Sequence, residues 1–437
     1  VTTIARPQPL GVLALPAGWL VVPADALAAD HPEAAGVAAA RDRLLAGLLP
    51  DPWPAALAAH ATAAGGDTDA AAALVDPAAG PEHAYNHFVL TGEPSSLELA
   101  RAGADGDLAA LVEVAAYALG HTDRLPDADA LDGEVRAHVL AATAAAFLEQ
   151  RDVQSALDAL VAAEEAATPV SSVLGALLLG QQAGLLQEAQ GADPDVVAAY
   201  VEAVDALRGM TAVEHALGEL ALGLGTAYHE LAASREEGSG LLVEAVRCYH
   251  LALRILKAPD GRPQERPERY AFAHSNLALC YLAMPMTGDR DKLRRGVAVQ
   301  SLREALKYYT REEHPAEWAS VTLNLANAMQ YLPTTHPVEN LVEAVGLYDE
   351  VLAVRSADED PLGYARVLAN QGTALSHLGI HDRARERLDE ARALFAAGGD
   401  SGALVTVDAA LRDIDAALQG VGTQASAASA ASSVAGA

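Results

Sequence analysis

Cysteine is nearly missing from this chain. Its 437 residues include two, Cys248 and Cys280, and no CxxC pair. That excludes a disulfide framework, so both thiols are read as buried and reduced, in a cytoplasmic protein. Lysine is almost as rare: Lys257, Lys292 and Lys307 are the full set. Aromatic residues make up 4%, so the core has to be built mainly from aliphatic side chains. Long apolar runs are absent too. No segment reaches the roughly 18 uninterrupted apolar residues of a membrane helix, and no membrane association is expected. The stretch LGVLALPAGWLVVP (10–23) is broken by Pro16 and preceded by Arg6 alone, so no export signal is read there. Val1 is what a literally translated GTG codon would give, which is an expectation of bacterial origin. The signatures GxxxxGK[ST], HExxH and GxSxG do not occur. Neither catalysis, a cofactor nor a metal is expected.

What is present points to helices. Apolar residues make up 51% of the chain, and alanine dominates them. Alanine loses no side-chain entropy in a helix and lets two helices approach closely. The net charge of −30 argues against general nucleic-acid binding. Yet residues 247–311 hold ten Arg and all three Lys against six acids, a local balance of +7. Lys292, Arg294, Arg295, Arg303 and Lys307 are the candidate electropositive patch for an acidic partner. The competing reading is a solvated outer face.

The chain also repeats itself. RYAFAHSNLALCYLAMP (269–285), EWASVTLNLANAMQYLP (317–333) and GYARVLANQGTALSHLG (363–379) align on Tyr270, Trp318 and Tyr364, with steps of 48 and 46 residues. Asn276, Asn324 and Asn370 then coincide, and so do the small residues Ala278, Ala326 and Gly372. Each segment is followed by a second one bearing small-x3-large-x2-small: Ala298/Leu302/Ala305, Ala344/Tyr348/Val351 and Ala384/Leu388/Ala391. That spacing places all three residues on one helix face. The same pattern occurs at Ala245/Tyr249/Ala252 and Ala156/Leu160/Ala163. Ala144 precedes Ala156 by 12 residues, as Gly372 precedes Ala384.

These residues resemble the tetratricopeptide repeat family, in its bacterial extended-turn form. The family unit is an antiparallel helix pair of about 34 residues. The resemblance is clearest at 134–169, 216–256, 269–312, 317–356 and 363–398, and a degenerate pair is expected over 172–210. It implies an all-α fold, a right-handed α-solenoid of tetratricopeptide-like helical hairpins, continuous over residues 131–418. Residues 1–130 read as diverged helical hairpins or a helical cap. The Ala/Ser/Gly-rich segment 419–437 reads as a disordered tail.

In stacked hairpins the first helices line the inner surface, so the three asparagines would stand in register there. An amide both donates and accepts, so it can pair with a peptide backbone. Tetratricopeptide proteins that hold extended peptides often use such a row. The lining expected around it includes Ser275, Leu279, Asn327, Gln330, Tyr331, Arg366, Thr373 and His377. The functional expectation is a non-catalytic adaptor or scaffold that holds a partner peptide, acidic or C-terminal, in this groove. The competing reading of the asparagines is repeat stacking, and that of Tyr270, Trp318 and Tyr364 is packing between repeats. Two other readings stay open. One is a sensor that signals to an effector. The other is an enzyme subunit built on 1–130, which would require His83, Tyr85, Asn86 and His87 to converge on a pocket.

Overall fold

A computed structural model describes residues 11–15, 18–235, 238–257, 266–285, 289–333 and 336–434, with side chains left out at 11–18, 289–292 and beyond 418. The fold is all-α helical hairpins with one small addition. Its contacts form two compact units, Val1–Ile255 and Leu256–Ala437. The sequence reading expects one unbroken array over 131–418. The division falls inside it, just before the Pro- and Gly-bearing stretch APDGRPQER (258–266).

The first unit opens with the addition. Strand β1 (Gly11–Leu15) pairs antiparallel with β2 (Gly18–Val21). The helical reading of residues 1–130 does not anticipate this hairpin. Six helices follow: α1 (Ala34–Leu45), α2 (Ala58–Ala64), α3 (Thr68–Ala72), α4 (Pro81–Thr91), α5 (Pro94–Gly103) and α6 (Gly106–Ala118). Leu20 and Val21 of β2 are buried in the same core as Phe88 of α4 and Leu111 of α6. Three hairpins complete the unit: α7 (Gly133–Glu149) with α8 (Val153–Ala167), α9 (Ser172–Gln190) with α10 (Pro194–Leu207), and α11 (Glu214–Ala233) with α12 (Ser239–Ile255).

The second unit stacks α13 (Pro267–Ala283) with α14 (Asp289–Ala305), α15 (Pro315–Gln330) with α16 (Pro337–Leu352), and α17 (Pro361–His377) with α18 (His381–Gly398); α19 (Ser401–Val434) closes it. The expected tail falls within residues 419–437, whose side chains lie outside the described residues. Proline stands first in α13, α15, α16 and α17, where its missing N–H costs nothing and its φ suits a helix start. Gly399, at φ 72°, caps the end of α18 in the left-handed region. Helix α14 begins seven residues before the segment read from 296. DRDKLRR contains no Pro or Gly to stop it, so Arg294 and Arg295 lie on the helix rather than in a turn.

The small-large-small motif is the packing rule of both units. All five predicted triplets are buried. The second hairpin of the array, α9 with α10, obeys the same ruler under another spelling. Gly184 precedes Val196 by 12 residues, and Val196/Tyr200/Ala203 are buried. Valine in the first small position hid it from the sequence pattern.

The small residue of each first helix is small because the large residue of the second lies against it. A Cβ on Gly372 would sit 2.7 Å from Leu388 Cγ and 3.1 Å from the Ala384 carbonyl oxygen. Backbone at that distance cannot yield, so overpacking by about 1–3 kcal/mol exceeds the helix-propensity gain of about 1 kcal/mol. Gly372→Ala is therefore expected to lower the urea midpoint. Gly346, inside α16, has nothing within 4 Å of an added Cβ, so Gly346→Ala is expected to raise the midpoint. Equal shifts of one sign would refute this packing account.

Candidate functional site

The three asparagines occupy one register on the first helices of the second unit, and each is half-buried. Their hydrogen bonds differ. Asn276 Nδ2 donates to the Phe272 carbonyl of its own helix at 3.1 Å. Asn370 Nδ2 donates across hairpins to Asn327 Oδ1 at 2.9 Å. Asn324 forms no side-chain hydrogen bond among the described residues.

Register explains the difference. Asn370 reaches the residue three places beyond the aligned asparagine on the preceding first helix, which is Asn327. The same step from Asn324 arrives at Leu279, which offers no acceptor. Asn324 therefore keeps both a donor and an acceptor available.

Asn327 belongs to a small polar network. Its Oδ1 also accepts from the Tyr348 hydroxyl at 2.7 Å, and that hydroxyl lies 3.0 Å from Gln330 Oε1. Burial pushes the Tyr348 phenol well above its ordinary pKa, so it stays a donor at any working pH. Gln330 Nε2 in turn donates to the Tyr331 hydroxyl at 3.3 Å. Sequence reading treats Tyr348 as a space filler. The signal it passes over is the tyrosine itself, at a position where Leu302 and Leu388 do the same packing. A second residue it passes over is Gln371. Fully buried, it donates to Asp349 Oδ1 at 2.7 Å and to the Val345 carbonyl at 3.3 Å, tying α17 to α16.

The remaining lining residues are placed as follows. Tyr331 is 55% exposed. Thr373 Oγ1 donates to the Ala369 carbonyl of its own helix at 2.9 Å. His377 is exposed. Arg366 lies 3.6 Å from Asp400 and remains largely open to solvent. Tyr270 is buried and meets the Tyr308 ring edge-on at 5.7 Å. Trp318 and Tyr364 are half-buried against the cores of their hairpins.

The electropositive patch is not a cluster of idle cations. Arg303 pairs with Glu343 at 2.8 Å and Lys307 with Glu304 at 2.5 Å. Arg294 Nη2 donates to the Pro285 carbonyl at 2.8 Å. Arg295 Nη1 donates to the Tyr331 carbonyl at 2.6 Å, with its guanidinium 6.0 Å from the center of that ring. Arg295 is thus the patch residue set beside the asparagine-bearing face, at the end of α15. The Lys292 side chain lies outside the described residues.

His83, Tyr85, Asn86 and His87 do not converge. Asn86 Oδ1 accepts the Val21 N–H at 2.8 Å, and its Nδ2 donates to the Val21 carbonyl at 2.8 Å. His60 Nε2 meets the same carbonyl at 3.0 Å. Tyr85 is buried and bonds the Trp19 backbone. His87 turns to Ser96 Oγ at 2.8 Å, and His83 turns to the exposed Asp25 at 3.2 Å. Asn86 and Tyr85 thus tie β2 to α4, and His60 ties it to α2. Asn86 also demonstrates in this chain what one amide does to an extended backbone.

No helix among the described residues is long and apolar enough to cross a membrane. In the same set, no three His, Cys, Asp or Glu side chains are placed to hold a metal ion.

Stacked hairpins with these contacts define an all-α, tetratricopeptide-like helical-repeat protein. Neither a family model nor a curated protein matches the sequence. The chain is similar to several solved structures. The TPR2AB domain of yeast Sti1, solved as a complex with pHSP90, is 18% identical with a TM-score of 0.25, over 64% of this chain and 98% of that one. The putative kinesin light chain TPR-like repeats of Podosopora anserina are 19% identical with a TM-score of 0.28, over 60% and 96%. A Rap protein complexed with competence and sporulation factor is 13% identical with a TM-score of 0.36, over 83% and 95%.

Proposed function

We propose that the second unit is a non-catalytic adaptor that holds an extended segment of a partner protein along its first-helix face. The observation that carries this is the Asn324 amide, half-buried on that face and without a hydrogen-bond partner among the described residues. Packing requires a small residue at Ala326 but nothing polar at 324. One amide can satisfy both the N–H and the C=O of a single residue in an extended chain. Recognition through backbone groups would give affinity with limited dependence on the partner's side chains.

The partner segment is acidic or ends in its own C-terminus. Arg366 belongs to this lining and Arg295 bonds the Tyr331 carbonyl beside it, and each has donors beyond those it uses internally. A carboxylate beside either would gain a charge-assisted bond.

Selection of peptides from a random library on the full chain tests this, with affinities then read by fluorescence anisotropy. Asn324→Ala is expected to weaken a selected peptide about 10-fold, the value of one or two net hydrogen bonds, with an unchanged melting curve. Asn370→Ala is expected to do the reverse in part, costing about 1 kcal/mol of stability through its bond to Asn327. If no peptide is selected, or Asn324→Ala binds as the parent does, the proposal fails.

A further inference from the structure

The first unit holds a cleft of about 560 Å³ formed by α10, α11 and α12. That is within the range of ligand sites, about 300–1,000 Å³. Each helix gives it one face at i, i+3, i+4 spacing. Leu224 and Tyr228 of α11 make the floor. Val201 and Val204 of α10 make one wall, and Cys248 and Leu251 of α12 the other. Burial pushes the Cys248 thiol up to about 12, with Glu244 adding to the shift and Arg208 opposing it. The thiol therefore stays protonated and counts as apolar wall.

The rim is charged. Arg208 pairs with Asp205 at 3.0 Å, and Arg247 with Glu244 at 2.6 Å, each within its own helix. Arg254 also lines the cleft, one turn beyond Leu251, and has no ionic partner among the described residues. The lining thus carries three arginines against two carboxylates, inside a chain of net charge −30. An apolar floor beneath a guanidinium with no ionic partner among the described residues recognises a specific chemistry.

We propose that this cleft binds a small amphipathic organic anion, an aromatic or acyl body with a carboxylate, sulfonate or phosphate head. The body displaces water from Leu224, Val201 and Leu251. The head pairs with Arg254, whose planar fork suits two oxygens at once. Arg208 and Arg247 raise the local potential while their own carboxylates keep them in place. This reading is independent of the peptide proposal, since it concerns other residues in the other unit.

Titration of the full chain with 1-anilinonaphthalene-8-sulfonate, followed by fluorescence and calorimetry, tests it. N-phenyl-1-naphthylamine is the uncharged comparison with the same aromatic body. The sulfonate is expected to saturate one site per chain and to bind about 10-fold more tightly than the neutral probe. Arg254→Ala should remove that preference while leaving the melting transition in place, because Arg254 is exposed. Arg254→Lys should restore part of it. Val201→Trp, which fills the cleft from its wall, should abolish binding of both probes. Absence of a saturable site overturns the proposal, and so does an unchanged preference for the sulfonate in Arg254→Ala.

Discussion

Tyr348→Ala is expected to cost the second unit about 3–5 kcal/mol, the range for removing a buried aromatic side chain. Its ring is fully buried against Ala326 and its neighbors in the shared core of α15 and α16. Its hydroxyl supplies Asn327 Oδ1 as well. Tyr348→Phe separates the two contributions. The ring stays, Asn327 keeps the Asn370 amide, and the loss should be near 1 kcal/mol. Urea unfolding of both variants measures the difference, with Asn370→Ala added to form a double-mutant cycle. Tyr348 and Asn370 donate to the same oxygen, so the cycle should show coupling. Equal midpoints for Tyr348→Ala and Tyr348→Phe would defeat the packing account, and strict additivity would defeat the network.

Acidification is expected to act on the first unit. His60 is buried and His138 half-buried, and loss of hydration lowers each pKa to about 4. The Val21 carbonyl opposes this at His60 without overcoming it. An unfolded imidazole titrates near 6.5. Above pH 6.5 both states are neutral, and pH has no effect through these groups. Between 6.5 and 4 the unfolded state takes up protons that the folded state refuses. Stability then falls by about 1.4 kcal/mol per pH unit for each histidine. Below pH 4 both states are protonated and the slope ends. The loss by pH 4 approaches about 3 kcal/mol per histidine. The Trp19 ring lies 5.3 Å from His138, so Trp19 fluorescence in a Trp53→Phe/Trp318→Phe background reports this unit. Carboxylates titrate in the same range, so the decisive quantity is a difference between variants. His60→Gln with His138→Gln should flatten the slope between 6.5 and 4, and an identical slope would refute the assignment.

The asparagine row shows where sequence reading succeeds and where it stops. Its register is one-dimensional, since residues 48 and 46 apart on like helices occupy like positions. What each amide bonds to depends on the offset between neighboring helices. That offset brings Asn370 to Asn327, while the position equivalent to Asn327 on the helix before Asn324 is held by Leu279, which separates a stacking bond from an open amide. Part of the network was legible all the same. Tyr249 faces Thr226 at 3.4 Å as Tyr348 faces Asn327. In both pairs a tyrosine in the large position is matched by a polar residue just after the small one. The basic stretch marks the opposite limit. A balance of +7 is a count, whereas Arg303 and Lys307 lie beside Glu343 and Glu304. The charge pairing was decided by proximity.

By itself the sequence determined the hairpins. A helix repeats every 3.6 residues, so small-large-small spacing and a 12-residue ruler name buried faces without coordinates. Tertiary structure alone decided the division near Ile255, the β-hairpin held by Asn86 and His60, the open amide of Asn324 and the cleft rimmed by Arg254. Each of these depends on residues far apart in the chain, or on different helices, coming within a few ångströms. Periodicity identifies the face a residue occupies, and only packing determines what stands opposite it.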